Sequence, residues 1–435
     1  MIKIDLPGTS QKDFDDAIQV LEECKAKIVP CLGFVNPFMG PGGQYGNCWW
    51  ERDTSLTLSG YKWIDQKFAE GVLDNFGLVQ KPGGRIPLWG NDRVGDYDEE
   101  LSAIPVIFEV ALGVMKRSED REFIDRTYGM LERYLGWWLS DVKRDKESGL
   151  VCGIFEESDP SDFNEQLTAA QVDLNVQVCV GADVLRELAE YLGRDEDAEK
   201  WRKIFETLKN AINTYMYDPE TGGYYTYFVK EKRLQTERVY NSMLDTFKRK
   251  IVPEDRRKAL IGYMEEPEHF DLHGKYALVT ASRSSPEYQE TVGVYKGWTS
   301  WSGNIWTLRN EIIVTGLREA GERELSAELA YKTVTEFSGN YAEFLSPSTG
   351  EGHGVKRYGW TASQYMELII EEIFGISDNH FTGEVNVCPN IPEALTGVPI
   401  SVSGVPVGAG VNKKLLSVRA VRNADGTVSV EKKFE

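Results

Sequence analysis

With 435 residues, 41% hydrophobic and 27% charged, the chain has the composition of an ordinary folded protein and enough length for a large core. Its 69 acidic residues outnumber 49 basic ones, and the net charge of −20 disfavours nucleic acid and anionic membrane as partners. The expected partner is a small neutral or cationic molecule. No apolar run reaches the length of a membrane span, and Met1-Ile-Lys-Ile-Asp5 lacks the apolar core of a secretion signal. The expectation is an unanchored cytoplasmic protein. Cysteines at 24, 31, 48, 152, 179 and 388 fit no metal or redox spacing and read as free, mostly buried thiols.

In chain order, residues 10–29 read as a helix capped by Ser10, with Phe14, Ile18, Leu21 and Ile28 on one face. A Gly/Pro-rich loop over 30–48 leads to Trp49-Trp50-Glu51-Arg52-Asp53-Thr54, which opens a helical run ending at Gly77. Another loop rich in Gly, Asp and aromatics follows, and then helices over about 99–117 and 120–143. After the acidic loop 156–165 come helices over 168–192 and 195–216, a turn with a strand pattern, and shorter helices near 237–249 and 253–264. The segment 266–300 is irregular. Helices return at about 302–320, 322–338 and 359–374.

About eleven or twelve helical segments thus alternate long loops rich in Gly, Asp and Trp with short turns such as 193–197 and 321–324. Short turns gather at one end of a helical array and long loops at the other, where a site is placed. The pattern predicts an all-α fold, a closed (α/α)6 toroid of six helical hairpins; a solenoid is disfavoured because no fixed repeat period is present. The toroid is assigned residues 1–380. Residues 381–435 turn Val-, Pro- and Gly-rich and alternate as strands, with Asn423–Thr427 as a hairpin turn, so they read as a small β appendage packed on the helices.

The stretch Asn340–Gly354 joins two helical segments and carries two carboxylates, three glycines, one histidine and two aromatics. Its Glu343 is the leading candidate for a catalytic carboxylate. A second acidic loop offers Glu156, Glu157, Asp159, Asp162 and Glu165, and clustered carboxylates raise one another's pKa, which keeps a proton donor protonated. Trp49, Trp50, Trp89, Trp298, Trp301 and Trp306 lie in loop segments, where an aromatic face can take the apolar face of a sugar ring. Trp137, Trp138 and Trp201 lie on helical stripes and read as core. Arg52 and Asp53 are suited to hold hydroxyls, or form an ion pair at a helix start. His269 and His273 have helical spacing without a supporting ligand set, so no metal is expected, and no nucleotide or cofactor fingerprint is present.

The segments Gly153-Ile-Phe-Glu-Glu-Ser-Asp-Pro-Ser-Asp-Phe163, Gln171-Val-Asp-Leu-Asn175, Tyr217–Tyr225, Tyr295–Trp306 and Tyr341–Ile369 occur in the order seen in glycoside hydrolase family 63. That family includes processing α-glucosidases and bacterial mannosylglycerate and glucosylglycerate hydrolases, and the family 37 trehalases look similar at the same places. The resemblance covers residues 30–375. It implies an inverting (α/α)6 hydrolase of α-glycosides, with the first Glu of the second-loop motif as general base, here Glu343. The general-acid motif departs from the family pattern at Glu157-Ser158-Asp159-Pro160-Ser161-Asp162, leaving Asp159 and Asp162 as the two candidates for the acid. Trp49, Trp50, Arg52 and Asp53 resemble the family's sugar-holding segment, and Glu351 and Trp360 join the candidate binding set.

The sequence therefore predicts hydrolysis of an α-glycosidic bond in a small glucoside or mannoside, without a cofactor. Histidine poverty, with 4 in the chain, argues against isomerases and lyases built on helical toroids. The alternatives are a trehalase-like or α-rhamnosidase-like hydrolase, the latter suited by the β tail, or a sugar-binding protein without turnover.

Overall fold

The computed structural model describes residues 1–26, 34–45, 47–90, 102–153, 168–290 and 302–435. Helices dominate. Helix α1 (Gln11–Cys24) starts at a capping box in which Ser10 and Asp13 satisfy each other's backbone amides. It is followed by α2 (Glu51–Tyr61), α3 (Gln66–Val79), α4 (Ile107–Lys116), α5 (Arg121–Trp138), α6 (Val172–Leu192) and α7 (Asp195–Tyr215). A 3-10 segment over Asn241–Lys250 precedes α8 (Glu254–Glu265), α9 (Thr307–Ala320), α10 (Arg323–Phe337) and α11 (Gly359–Glu367).

Burial divides these elements into two sets. Every residue of α2 is buried, as are the first 14 residues of α6, Val172 to Leu185, and most of α9 and α11. By contrast α1, α3, α5 and α7 bury one stripe and show the other face to water. A helix buried on all sides must be surrounded by other elements, and the contacts show how. Helix α2 packs on α4, α4 on α6, α6 on the 3-10 segment, that segment on α9, α9 on α11, and α11 back on α2. The striped helices lie outside: α1 against α11, α3 against α2, α5 and α7 against α6, α10 against α9.

The α2–α11 seam is unusually close. A Cβ on Gly60 would stand 2.1 Å from the Ser363 carbonyl oxygen, and the Gly60 amide donates to Ser363 Oγ at 2.8 Å. Only glycine lets these two backbones meet.

The C-terminal residues form an antiparallel sheet of four strands, in the order β1 (Lys3–Asp5), β2 (Pro399–Val407), β3 (Lys414–Arg422) and β4 (Val428–Phe434). Its first strand comes from the other end of the chain, with Ile4 opposite Val402, so the appendage is not confined to 381–435. Ile400, Val402, Val405, Val407, Leu416, Val418 and Ala420 are buried, while β4 is exposed along most of its length. Arg117 pairs with Asp378 at 2.9 Å and lies over the Trp63 ring, 3.8 Å from its centroid, which ties the sheet's approach segment to the helices.

Candidate active site

Polar residues gather at the N-terminal turns of the fully buried elements. Glu51, Arg52 and Asp53 open α2, Asp173 opens α6, Asn241 and Asp245 lie in the first turns of the 3-10 segment, and Arg309 lies in the first turn of α9. All seven are almost without exposed surface. Helix N-termini present free amide groups and positive dipole ends, so this end of the circuit suits hydroxyl and carboxylate groups.

Glu343 is carried to the same end by a hairpin in which Phe344–Leu345 pairs with Gly352–His353. Leu345 and Ile305 exchange backbone hydrogen bonds at 2.9 and 3.0 Å, fixing the hairpin to the segment that leads into α9. Thr361 Oγ1 donates to the Ala342 carbonyl at 3.0 Å, and Tyr358 N–H donates to the Tyr341 carbonyl at 2.8 Å, fixing it to the start of α11. Glu343 is half-buried, and its Oε2 accepts the Val355 amide at 3.0 Å.

Aromatic contacts run from Phe344, next to Glu343 in the chain, to α2. Phe344 stacks on Trp306 at 4.8 Å between ring centres, Trp306 meets Trp360 at 6.0 Å, and the Arg52 guanidinium lies 5.8 Å from the centre of the Trp360 ring. Tyr358 packs edge-on against Trp360 and donates its hydroxyl to Asp53. Trp50 and Trp89 stack with centres 5.6 Å apart and planes 16° apart, with Tyr45 edge-on to Trp50. These three rings are half-buried and offer open aromatic surface.

Trp49 differs from its neighbour. It has no exposed surface and packs between Phe34 and Phe76, so it belongs to the core instead of an open face. Successive residues of a strand point to opposite sides, which sends Trp49 inward and Trp50 outward. Glu351 lies exposed in the turn of the Glu343 hairpin. Asp159, Asp162, Trp298 and Trp301 lie outside the described residues.

Sequence reasoning missed Asp173, Asn241, Asp245 and Arg309 as a set. Arg309 donates to Asp245 Oδ1 at 2.9 Å and to Asn241 Oδ1 at 3.1 Å, and it lies 4.0 Å from Asp173. Burial outweighs the pull of Arg309 and, with the nearby charge of Asp173, pushes the Asp245 carboxyl up to about 7. The available signal was polar residues interleaved in helices with no solvent face. His269 and His273 do not share a helix; His273 bridges Glu265 and Glu328 on the surface. The five described cysteines are free thiols, and of these Cys388 is exposed.

Residues 153–361 match the model of the mannosylglycerate hydrolase MGH1-like glycoside hydrolase domain. The mannosylglycerate hydrolase of Rubrobacter radiotolerans is 24% identical over 200 residues, 45% of this chain and 43% of that protein. The GH63 mannosylglycerate hydrolase of Thermus thermophilus, solved in complex with glucose, superposes with a TM-score of 0.66 at 16% identity, covering 82% of this chain and 99% of that one. The GH78 family rhamnosidase of Bacillus sp. GL1 superposes with a TM-score of 0.67 at 12% identity, covering 100% of this chain and 41% of that one. At these identities the structural likeness is one of fold. The chain spans about half the length of the curated relatives it matches, 54% and 43% of the first two.

Proposed function

We propose, starting from residues 153–361 as a glycoside hydrolase domain of the MGH1-like kind, that this chain hydrolyses the α-glycosidic bond of a small glucoside or mannoside with inversion. The fold is read as an (α/α)6 toroid over residues 1–380, supported by the closed order of contacts from α2 through α11. The β-rich residues 381–435, joined by β1, form the second unit.

The observation that carries the reading is Glu343, half-buried and clamped on a hairpin whose Phe344 stacks on Trp306, which leads through Trp360 to Arg52. Glu343 takes the proton of a water whose oxygen attacks the anomeric carbon. An acid from the residues that precede α6 in the chain, Asp159 or Asp162, protonates the departing glycosidic oxygen as the C–O bond breaks. Trp50 and Trp89 carry the sugar face, and Arg52 and Asp53 its hydroxyls. Trp298 and Trp301 complete the proposed binding set. The substrate is a small carbohydrate, cleaved without a cofactor.

A second reading is an α-rhamnoside substrate, favoured by the rhamnosidase fold extending over the whole chain, β strands included. One experiment separates the readings. α-Glucosides, α-mannosides and α-rhamnosides, including trehalose and glycerate conjugates, are supplied to the protein and the released anomer is followed by proton NMR. The β-anomer of glucose or mannose is the expected product. Retained configuration overturns Glu343 as base, rhamnose release selects the second reading, and sugar binding without turnover overturns hydrolysis.

A further inference from the structure

We propose that Gly354 is a positioning residue for Glu343: its missing Cβ makes the space in which the carboxylate sits, and the adjoining Val355 amide holds it there. This rests on Glu343 acting as the base. Gly354 has φ +68°, and a Cβ built on it would lie 2.3 Å from Glu343 Oε2, 2.8 Å from Glu343 Cβ and 2.9 Å from the Phe344 ring. The Val355 amide donates to Oε2 at 3.0 Å, and the Glu343 amide donates back to the Val355 carbonyl at 2.8 Å. The two segments are therefore joined by one main-chain bond and one bond to the carboxylate itself, and the atom nearest the added carbon is that carboxylate oxygen. A methyl group at Gly354 meets the carboxylate first and also presses on Glu343 Cβ and the Phe344 ring, so it moves the carboxylate together with the strand that carries it. General-base catalysis tolerates little such error, because a shift of about 1 Å can cost about a hundredfold in rate.

The same hairpin supplies a control. Gly350 has φ +73°, but a Cβ there would face the ring of Tyr276 at 3.2 Å instead of Glu343. Gly350→Ala carries the same backbone strain without touching the carboxylate.

The test uses α-D-glucosyl and α-D-mannosyl fluoride. Fluoride leaves without protonation, so turnover reports the base side of the reaction. A water oxygen bonds to the anomeric carbon as the C–F bond breaks, the water proton passes to Glu343, and fluoride departs with the bonding pair. Gly354→Ala is expected to lower kcat at least tenfold, with KM within threefold, in protein that still melts in one cooperative transition. Gly354→Asn, which tolerates positive φ, is expected to do the same and serves if the alanine variant does not fold. Gly350→Ala is expected to keep kcat within twofold. Wild-type kcat in both Gly354 variants, or an equal loss in Gly350→Ala, overturns the proposal. Glu343→Gln locates a failure. If it is inactive while the Gly354 variants are normal, positioning alone is wrong; if it retains turnover, the base reading falls and the positioning role with it.

Discussion

Tyr358 donates its phenolic proton to Oδ1 of Asp53, and both groups are buried where α11 meets α2. The bond joins the segment behind the Glu343 hairpin to the turn that carries Arg52. Tyr358→Phe is expected to lower unfolding stability by about 1–2 kcal/mol in urea titration. A cycle with Asp53→Asn is expected to give a coupling above about 0.5 kcal/mol. Additive effects of the two changes would deny the link.

The Trp50–Trp89 pair is half-buried and stacked at 5.6 Å, which makes it a sugar platform within the proposed function. Trp50→Ala is expected to raise KM by about tenfold, roughly 1.4 kcal/mol of ground-state binding, with kcat nearly unchanged. Steady-state kinetics on the preferred fluoride checks this. A fall in kcat at constant KM would deny the platform role.

Gly60 meets the Ser363 carbonyl oxygen so closely that an added Cβ would stand 2.1 Å from it. That oxygen is backbone inside a helix and cannot turn aside. Gly60→Ala is expected to cost about 2 kcal/mol or more, measured by urea denaturation, despite alanine's better helix propensity.

Glu336 is buried, accepts the Ala277 amide at 2.6 Å, and is pushed up by burial to about 8 from an ordinary value of 4.5. The folded state therefore holds this proton where the unfolded chain has lost it. The associated stability is present below about pH 4.5 and is lost as pH rises through about 8. Glu336→Gln is expected to remove that loss, so the variant gains on the order of 1–3 kcal/mol relative to wild type between about pH 5 and 9. Thermal melts at the two pH values give the comparison.

The outer helices were legible because each writes a stripe into the sequence. Residues 51–77, read as one helical run, are two helices, with Asp65 capping α3 through the Phe68 amide. Helix α2 has no stripe because it has no solvent side, so its end at Tyr61 left no periodic signal. The run read over 359–374 holds α11 and then a π-helical turn, Leu368–Ile373, which apolar spacing does not distinguish from regular helix. The hairpin that carries Glu343 was legible as a sharp turn through its glycines. Asp173, Asn241, Asp245 and Arg309 were not, because residues far apart in the chain become neighbours only when the inner elements close on one another.

The α2–α11 seam also bears on the order in which the chain is made. Gly60 and Ser363 are 303 residues apart, and Ile4 waits similarly for Val402. A ribosome releases α2 long before α11 exists, so Ser59, Gly60 and their neighbours stay wet or transiently covered through most of translation. A chain ending before residue 359 would keep nearly all the outer helices and Glu343 itself, yet leave the first inner helix without its last wall. Nascent-chain proteolysis near Tyr61 should subside only after residues 359–367 clear the ribosomal tunnel.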